Sequence, residues 1–270
     1  MKLGLQLYSV RESMEKDFLG TLKKVKEMGY EGGELAGLYN NTPESVKNMF
    51  KEAGLVPISA HVTYQELAAD IEGTVKKYKE IGCKYIAIPY LPEELRYGKE
   101  EYANVVANIK KIGEACNKNG IILLYHNHDF EFEKAENGEF VLDELYNEIP
   151  KALLQTEIDT CWVNVAGVNP CEYVEKYTNR APVVHLKDFY GERNKKMYEL
   201  IGIDGDDEKV VDTFEFRPLG CGKQNIQAIV DSAAKAGAEW IIAEQDQPSM
   251  GLSPLECVQK SMDFMKTVKY

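Results

Sequence analysis

Five times in this chain a helix-like stretch ends on a glycine and a strand-like run resumes within a few residues. The phrases are Met28-Gly29-Tyr30, Ala53-Gly54-Leu55, Ile81-Gly82-Cys83, Asn119-Gly120-Ile121 and Ala236-Gly237-Ala238. Glycine just past a helix supplies the left-handed cap from which the backbone turns back, so each phrase reads as the αβ loop of a repeating βα unit. Strand-like runs fall at Leu3–Tyr8, Tyr30–Leu35, Leu55–Ala60, Tyr85–Pro89, Ile121–Tyr125, Leu153–Ile158, Val183–Lys187 and Trp240–Ala243. Between them lie amphipathic stretches such as Asp17–Met28, Pro43–Ala53, Gln65–Ile81, Glu100–Asn119 and Asn225–Ala236, with apolar residues three and four apart. Eight βα units close a barrel, and 270 residues suits one such domain, which typically takes about 250. The expected fold is therefore α/β, a single-domain (β/α)8 TIM barrel over residues 1–270; an open doubly wound sheet is the alternative. Residues 188–219 break the rhythm. They include the acidic, turn-rich Ile203–Glu208, follow His185 directly, and read as a lid loop over the same rim.

Composition narrows the partners. The net charge of −12 argues against a nucleic-acid substrate, because binders of phosphate backbones carry a basic footprint. No apolar run approaches the roughly 20 residues needed to cross a bilayer, so no membrane partner is expected. The start, Met1–Val10, alternates like a strand and lacks a signal-peptide core, which makes the expected location cytoplasmic. Six cysteines show neither a C-x-x-C pair nor zinc-finger spacing and read as scattered thiols of a reducing compartment.

In such a barrel the active site forms at the carboxyl ends of the strands, where loops vary without disturbing the core. Reading round that rim gives Gln6 and Tyr8, Glu34, His61, Tyr90, His126 with His128 and Glu131, Asp159 with Trp162, His185 with Lys187, and Glu244 with Gln245 and Asp246. All four histidines of the chain fall in this set. Each residue also has a plain reading: Asp159 or Glu244 as a helix cap, His61 as a core imidazole, Glu34 or Lys187 as an ion-pair partner, Tyr90 and Trp162 as apolar walls. Clustered buried carboxylates repel one another unless a cation or protons offset them. His126, Asp159, His185 and Glu244 together therefore read as ligands of a divalent metal such as Mn²⁺, Co²⁺, Zn²⁺ or Mg²⁺. Pro218-Leu-Gly-Cys-Gly-Lys223 offers backbone N–H groups for an anion, or is a plain turn. Arg11, Lys187, Arg193, Arg217 and Lys223 are the basic groups near the rim that could meet a phosphate.

The segments Leu5–Arg11 (LQLYSVR), Tyr125–Phe132 (YHNHDFEF), Glu157–Trp162 (EIDTCW), Val184–Asp188 (VHLKD), Pro218–Gly222 (PLGCG) and Ala243–Asp246 (AEQD) carry a family resemblance. The chain resembles, over nearly its whole length, the xylose isomerase-like TIM-barrel superfamily of sugar phosphate isomerases and epimerases, which also includes inosose dehydratase and endonuclease IV. In that family Glu, Asp, His and Glu from four successive strand ends hold the metal. The resemblance implies this role for Asp159, His185 and Glu244; the first position is His126, with Glu131 close behind as the other candidate. Trp162 stands where relatives often have a substrate-contacting histidine. The implied activity is isomerisation or epimerisation of a keto-sugar, sugar phosphate or related polyol carbonyl through a metal-stabilised enediolate. Glu34, His61 and Glu131 would be acid or base and Lys187 would stabilise negative charge. Gln6, Tyr8, Tyr90, His128 and Trp162 would contact the small carbohydrate. A lyase of the inosose dehydratase or 3-keto-glycoside type, an endonuclease IV-like phosphodiesterase and a non-catalytic sugar-binding barrel or subunit are the alternatives. A homo-oligomer, a dimer in particular, is implied by the resemblance alone.

Overall fold

The computed structural model describes residues 1–194, 198 and 214–270. Eight strands form one parallel sheet: β1 Lys2–Gln6, β2 Gly32–Leu35, β3 Val56–Ala60, β4 Tyr85–Ile88, β5 Ile122–His126, β6 Gln155–Asp159, β7 Val183–Leu186 and β10 Trp240–Ala243. All eight lie where the sequence periodicity puts them. Their order is β3-β2-β1-β10-β7-β6-β5-β4. The two end strands meet at a seam of a few bonds rather than a full ladder: Lys84 N–H donates to Ile58 O at 3.0 Å, Val62 N–H to Ala87 O at 2.9 Å, and His61 bridges to Ala87. This is the eight-stranded parallel (β/α)8 barrel, a single domain.

Two apolar layers hold it. Outside, strand residues such as Leu5, Ile86, Leu123 and Ile241 pack against the helices. Inside, the lower half of the barrel is plugged by Ile58, Tyr85, Leu124, Val183, Trp240 and Ile242. The plug leaves no room beside it: a Cβ on Gly4 or Gly32 would lie 2.3 or 2.6 Å from Ile58. Above this plug the inward-facing residues turn polar, which lifts the site to the carboxyl ends of the strands.

The glycine phrases act as expected; Gly54 and Gly237, for example, sit at φ +71° and +86° and close their helices. The stretch Gln65–Ile81 is two helices rather than one, Tyr64–Ala69 and Ile71–Ile81. Asp70 breaks it, because its carboxylate accepts Gly73 N–H at 2.9 Å and caps the second helix.

Of the expected lid over 188–219, residues 195–197 and 199–213 lie outside the described residues. Its described ends form a two-stranded antiparallel ribbon, β8 Asp188–Tyr190 with β9 Glu215–Arg217. Phe189, Phe214 and Phe216 of this ribbon pack with Cys161 and Trp162 in a separate apolar cluster. The Pro218–Lys223 turn is not open to an external anion. The Asp188 carboxylate fills it, accepting the N–H groups of Phe189, Gly220, Gly222 and Gln224 at 2.9–3.0 Å.

Candidate metal centre and active-site cavity

Strand pairing brings the rim residues together. The parallel register sets His126 beside Glu157 and Asp159 beside His185. The Asn127 side chain bonds both the N–H and the C=O of Asp159, at 3.0 and 3.2 Å. Thr160 Oγ1 donates to His185 O at 2.8 Å. These bonds tie the ends of β5, β6 and β7. In β3 an extra residue opposite Gly33 and Glu34 breaks the alternation, so Ile58 joins the inner plug while Ser59 also turns inward and donates to Glu34.

Two overlapping groups of ligating side chains result. In the outer one, His126, Asp159, His185 and Glu244 each offer one donor atom, all within 4.8 Å of one another; in the inner one, His61, His126, Glu157 and His185 do the same. His126 and His185 stand between the two. His126 turns Nε2 toward Asp159 Oδ2 (3.8 Å) and Nδ1 toward Glu157 Oε2 (3.3 Å). His185 turns Nδ1 toward Glu244 Oε2 and Nε2 toward Glu34 Oε2, each at 2.8 Å. Asp159 divides its work: Oδ1 accepts Trp162 N–H at 2.9 Å and caps the helix Thr160–Val165, while Oδ2 faces the cluster.

A cation is already built into the outer group. Lys187, only 1% exposed, meets Asp246 at 2.8 Å, Glu244 at 3.2 Å and Asp159 at 3.3 Å. Burial opposes its charge, but Asp246, Glu244 and Asp159 outweigh that and hold its pKa above the ordinary lysine value. Burial likewise penalises the Glu244 carboxylate, yet Lys187 and His185 keep it well below the usual range. Burial pushes His126 down to about 4 and His128 well down too, so both imidazoles are neutral at physiological pH. His61 and His185 go the other way, because nearby Glu34 and Glu157 outweigh burial. Several buried atoms of the two groups make no aligned hydrogen bond: His126 Nδ1, Glu157 Oε1, Asp159 Oδ2 and His185 Nε2. Unsatisfied buried polar atoms are rare, and a cluster of imidazole and carboxylate donors is the set that borderline divalent ions take. The residues fit such an ion.

Over this cluster opens a cavity of about 380 Å³, walled by Tyr8, Tyr90, His61, His128, Glu66 and Lys187 among others. His128 stacks on Phe130 and meets Tyr90 edge-on. Four residues expected there lie elsewhere. Glu34, with no exposed surface, sits beneath the imidazoles, held by Ser59 and by Gln6 Nε2 at 2.7 Å, so neither Glu34 nor Gln6 reaches the cavity. Trp162 is fully buried behind His128 and over Lys187. Glu131 points away from both ligand groups: it accepts Tyr125 Oη–H and His128 N–H, each at 2.7 Å, and fixes the loop after β5. Of the two candidates after β5, His126 is the one whose donor atoms lie in both groups. The residue that strand-end reasoning passed over is Glu157. Its signal was present, since in a strand residues two apart share a face, and Asp159 is two residues on.

The basic groups of the rim are engaged by the protein itself. Arg11 donates to Tyr8 O and Asp246 O, Arg193 pairs with Asp129 at 2.7 Å, Arg217 with Glu215 at 2.6 Å, and Lys223 with Gly191 O and Glu192. Among the described residues Lys187 is the one cation lining the cavity, and three carboxylates surround it.

The fold and site define the class: a parallel eight-stranded barrel with imidazoles and carboxylates gathered at its carboxyl mouth. Within it, the chain belongs to the xylose isomerase-like TIM barrel family, whose model matches residues 22–268. It is 23% identical over 279 residues to an inosose dehydratase of Clostridium botulinum (strain Alaska E43 / Type E3), covering 93% of this chain and 90% of that protein. Its backbone is similar to that of a sugar phosphate isomerase/epimerase from Parabacteroides distasonis ATCC 8503, with a TM-score of 0.79, 21% identity and 99% of each chain covered. A second solved structure, the IOLI protein with a binding zinc atom, gives a TM-score of 0.72 at 16% identity, covering 99% of this chain and 98% of that one. At these identities the structural likenesses are likenesses of fold. No helix among the described residues is long and apolar enough to cross a membrane.

Proposed function

We propose that the chain is a divalent-metal-dependent enzyme that isomerises or epimerises an unphosphorylated keto-sugar or related polyol carbonyl compound. The observation that carries this reading is the buried outer group of His126, Asp159, His185 and Glu244, whose donor atoms share one small volume under a sugar-sized cavity. A divalent ion held by these four residues, with Mn²⁺, Co²⁺, Zn²⁺ and Mg²⁺ as the candidates, would supply Lewis acidity at a substrate carbonyl. The chain's own residues do the rest. Tyr8 and Tyr90 offer apolar faces to a sugar ring. His61 is the acid–base group that lines the cavity, and Glu157 orients its Nε2 at 2.7 Å. With Glu157 holding Nε2, the acid–base work falls to the other ring nitrogen, Nδ1: its lone pair is the base for the carbon beside the carbonyl, and once protonated it is the acid that returns the proton. Lys187, kept protonated by its three carboxylates, stabilises charge that develops on an enediolate. The absence of a free cation among the described lining residues supports an uncharged substrate.

Dehydration of an inosose-type substrate is the second reading, favoured by one observation. Of the carboxylates that the sequence offers as acid or base, Glu34 lies beneath the cavity floor and Glu131 points elsewhere, and of those that line the cavity Glu244 and Asp246 are held by Lys187. Elimination needs one base and one acid, and a single imidazole, His61, can take the carbon's proton and then give it to the leaving hydroxyl, with Lys187 stabilising the charge between.

The test is solvent-deuterium uptake into a panel of ketoses and inososes, followed by NMR, with metal content measured in parallel. Asp159→Asn and Glu244→Gln should abolish both exchange and metal uptake, and His61→Asn should slow exchange by about 10²–10⁴-fold. Full exchange by chelator-treated, metal-free protein would refute the metal-dependent reading. Loss of water accompanying exchange would select the dehydratase.

A further inference from the structure

Glu34 and Glu157 are both without exposed surface, and neither lines the cavity. They form a carboxylate floor under three imidazoles. Glu34 Oε2 lies 2.8 Å from His185 Nε2 and 3.3 Å from His61 Nε2; Glu157 Oε2 lies 2.7 Å from His61 Nε2 and 3.3 Å from His126 Nδ1. Glu34 is itself anchored by Gln6 and Ser59. A neutral imidazole carries its single ring proton on one nitrogen and a lone pair on the other, and the partner of the first decides which nitrogen is free to ligate. In both His126 and His185 the nitrogen facing the floor is the one opposite to that facing Asp159 or Glu244. The inner nitrogens are close to their carboxylates but make no aligned hydrogen bond, whereas His185 Nδ1 shares one with Glu244 Oε2 at 2.8 Å, whose proton a bound ion would displace.

We infer that Glu34 and Glu157 are positioning residues. Each draws the ring proton of one imidazole, His185 and His126 respectively, to the inner nitrogen, and so presents the outer lone pairs to an ion shared with Asp159 and Glu244. This inference rests on the metal reading above and adds to it that two carboxylates which touch neither ion nor substrate set the site's affinity. The competing occupant of the same floor is a second ion held by His61, His126, Glu157 and His185.

The test is titration of the metal-free full-length protein with Co²⁺, reading stoichiometry, dissociation constant and the visible d–d absorption. The wild-type chain should take one ion. Glu157→Gln and Glu34→Gln should each weaken it about 10–100-fold, the usual effect of losing an outer-shell partner, with one ion still bound and the band positions kept. Two ions per chain, a band shift in Glu157→Gln, or affinity unchanged in both variants would overturn the inference. Asp159→Asn separates the two failures: retention of Co²⁺ by that variant defeats the outer site itself. Thermal melting of each apo variant checks its fold. Should Glu157→Gln or Glu34→Gln not fold, Ser59→Ala, which removes one donor to Glu34 and leaves its charge, should weaken Co²⁺ severalfold; no change there would count equally against the floor.

Discussion

Asp159 shows how one residue can satisfy two readings. Its cap of the following helix and its place among candidate ligands were alternatives in the sequence, and the two carboxylate oxygens divide between them: Oδ1 makes the cap and Oδ2 faces the cluster. Glu131 is the opposite case. Sequence adjacency to His126 made it a candidate ligand or base, yet the loop after β5 turns its side chain into a pocket with Tyr125 and away from the cluster. Burial there pushes its pKa up to about 7. The consequence for stability has a definite sign. Below about pH 4.5 the group is neutral in both states. Between there and 7 the unfolded chain ionises while the folded one keeps its proton, so stability falls as pH rises and levels off above 7. The difference in unfolding free energy between wild type and Glu131→Gln should therefore move by roughly 2–3 kcal/mol against the wild type from pH 4 to 8. Denaturant melts at several pH values measure it; a difference independent of pH would show that Glu131 titrates normally.

At the scale of elements, the strands were the most legible part of the chain because an apolar run ending at a polar residue is a local pattern. The break at Asp70 was not, since a helical periodicity continues through it and the capping bond depends on where the second helix begins. The β8–β9 ribbon was hidden for a related reason: its strands have three residues each and are far apart in the chain. Asp188 joins that ribbon to the Pro218–Lys223 turn through four backbone N–H groups. Asp188→Asn puts an amide NH₂ where one of the accepting oxygens stood and leaves buried donors unpaired, at a cost of about 1–3 kcal/mol each. Calorimetry should show a melting temperature lower by about 5–10 °C. A drop of less than a degree would mean that the ribbon is held by its phenylalanines alone.

For the molecule as a whole, the barrel's apolar plug forces the polar residues to one mouth, and the mouth's acidic balance selects what enters. With the rim cations among the described residues already paired, an uncharged ketose should be turned over about tenfold or more faster, as kcat/KM, than its phosphate ester. That ratio corresponds to about 1.4 kcal/mol or more of discrimination. Millimolar inorganic phosphate should not inhibit. Preference for the ester would overturn the reading of an uncharged substrate.

From the sequence alone came the repeating βα unit, the eight strands, the rim on which chemistry gathers, and the set His126, Asp159, His185 and Glu244, since each follows from periods and turn residues within a few positions. Tertiary structure alone decided which rim residues face the cavity, that Glu34 and Glu157 form a floor beneath it, that Glu131 and Trp162 stand outside it, and that the basic groups among the described residues are already engaged. Those outcomes depend on distances between side chains that are remote in the chain. Local propensity carries no information about such distances until the barrel closes.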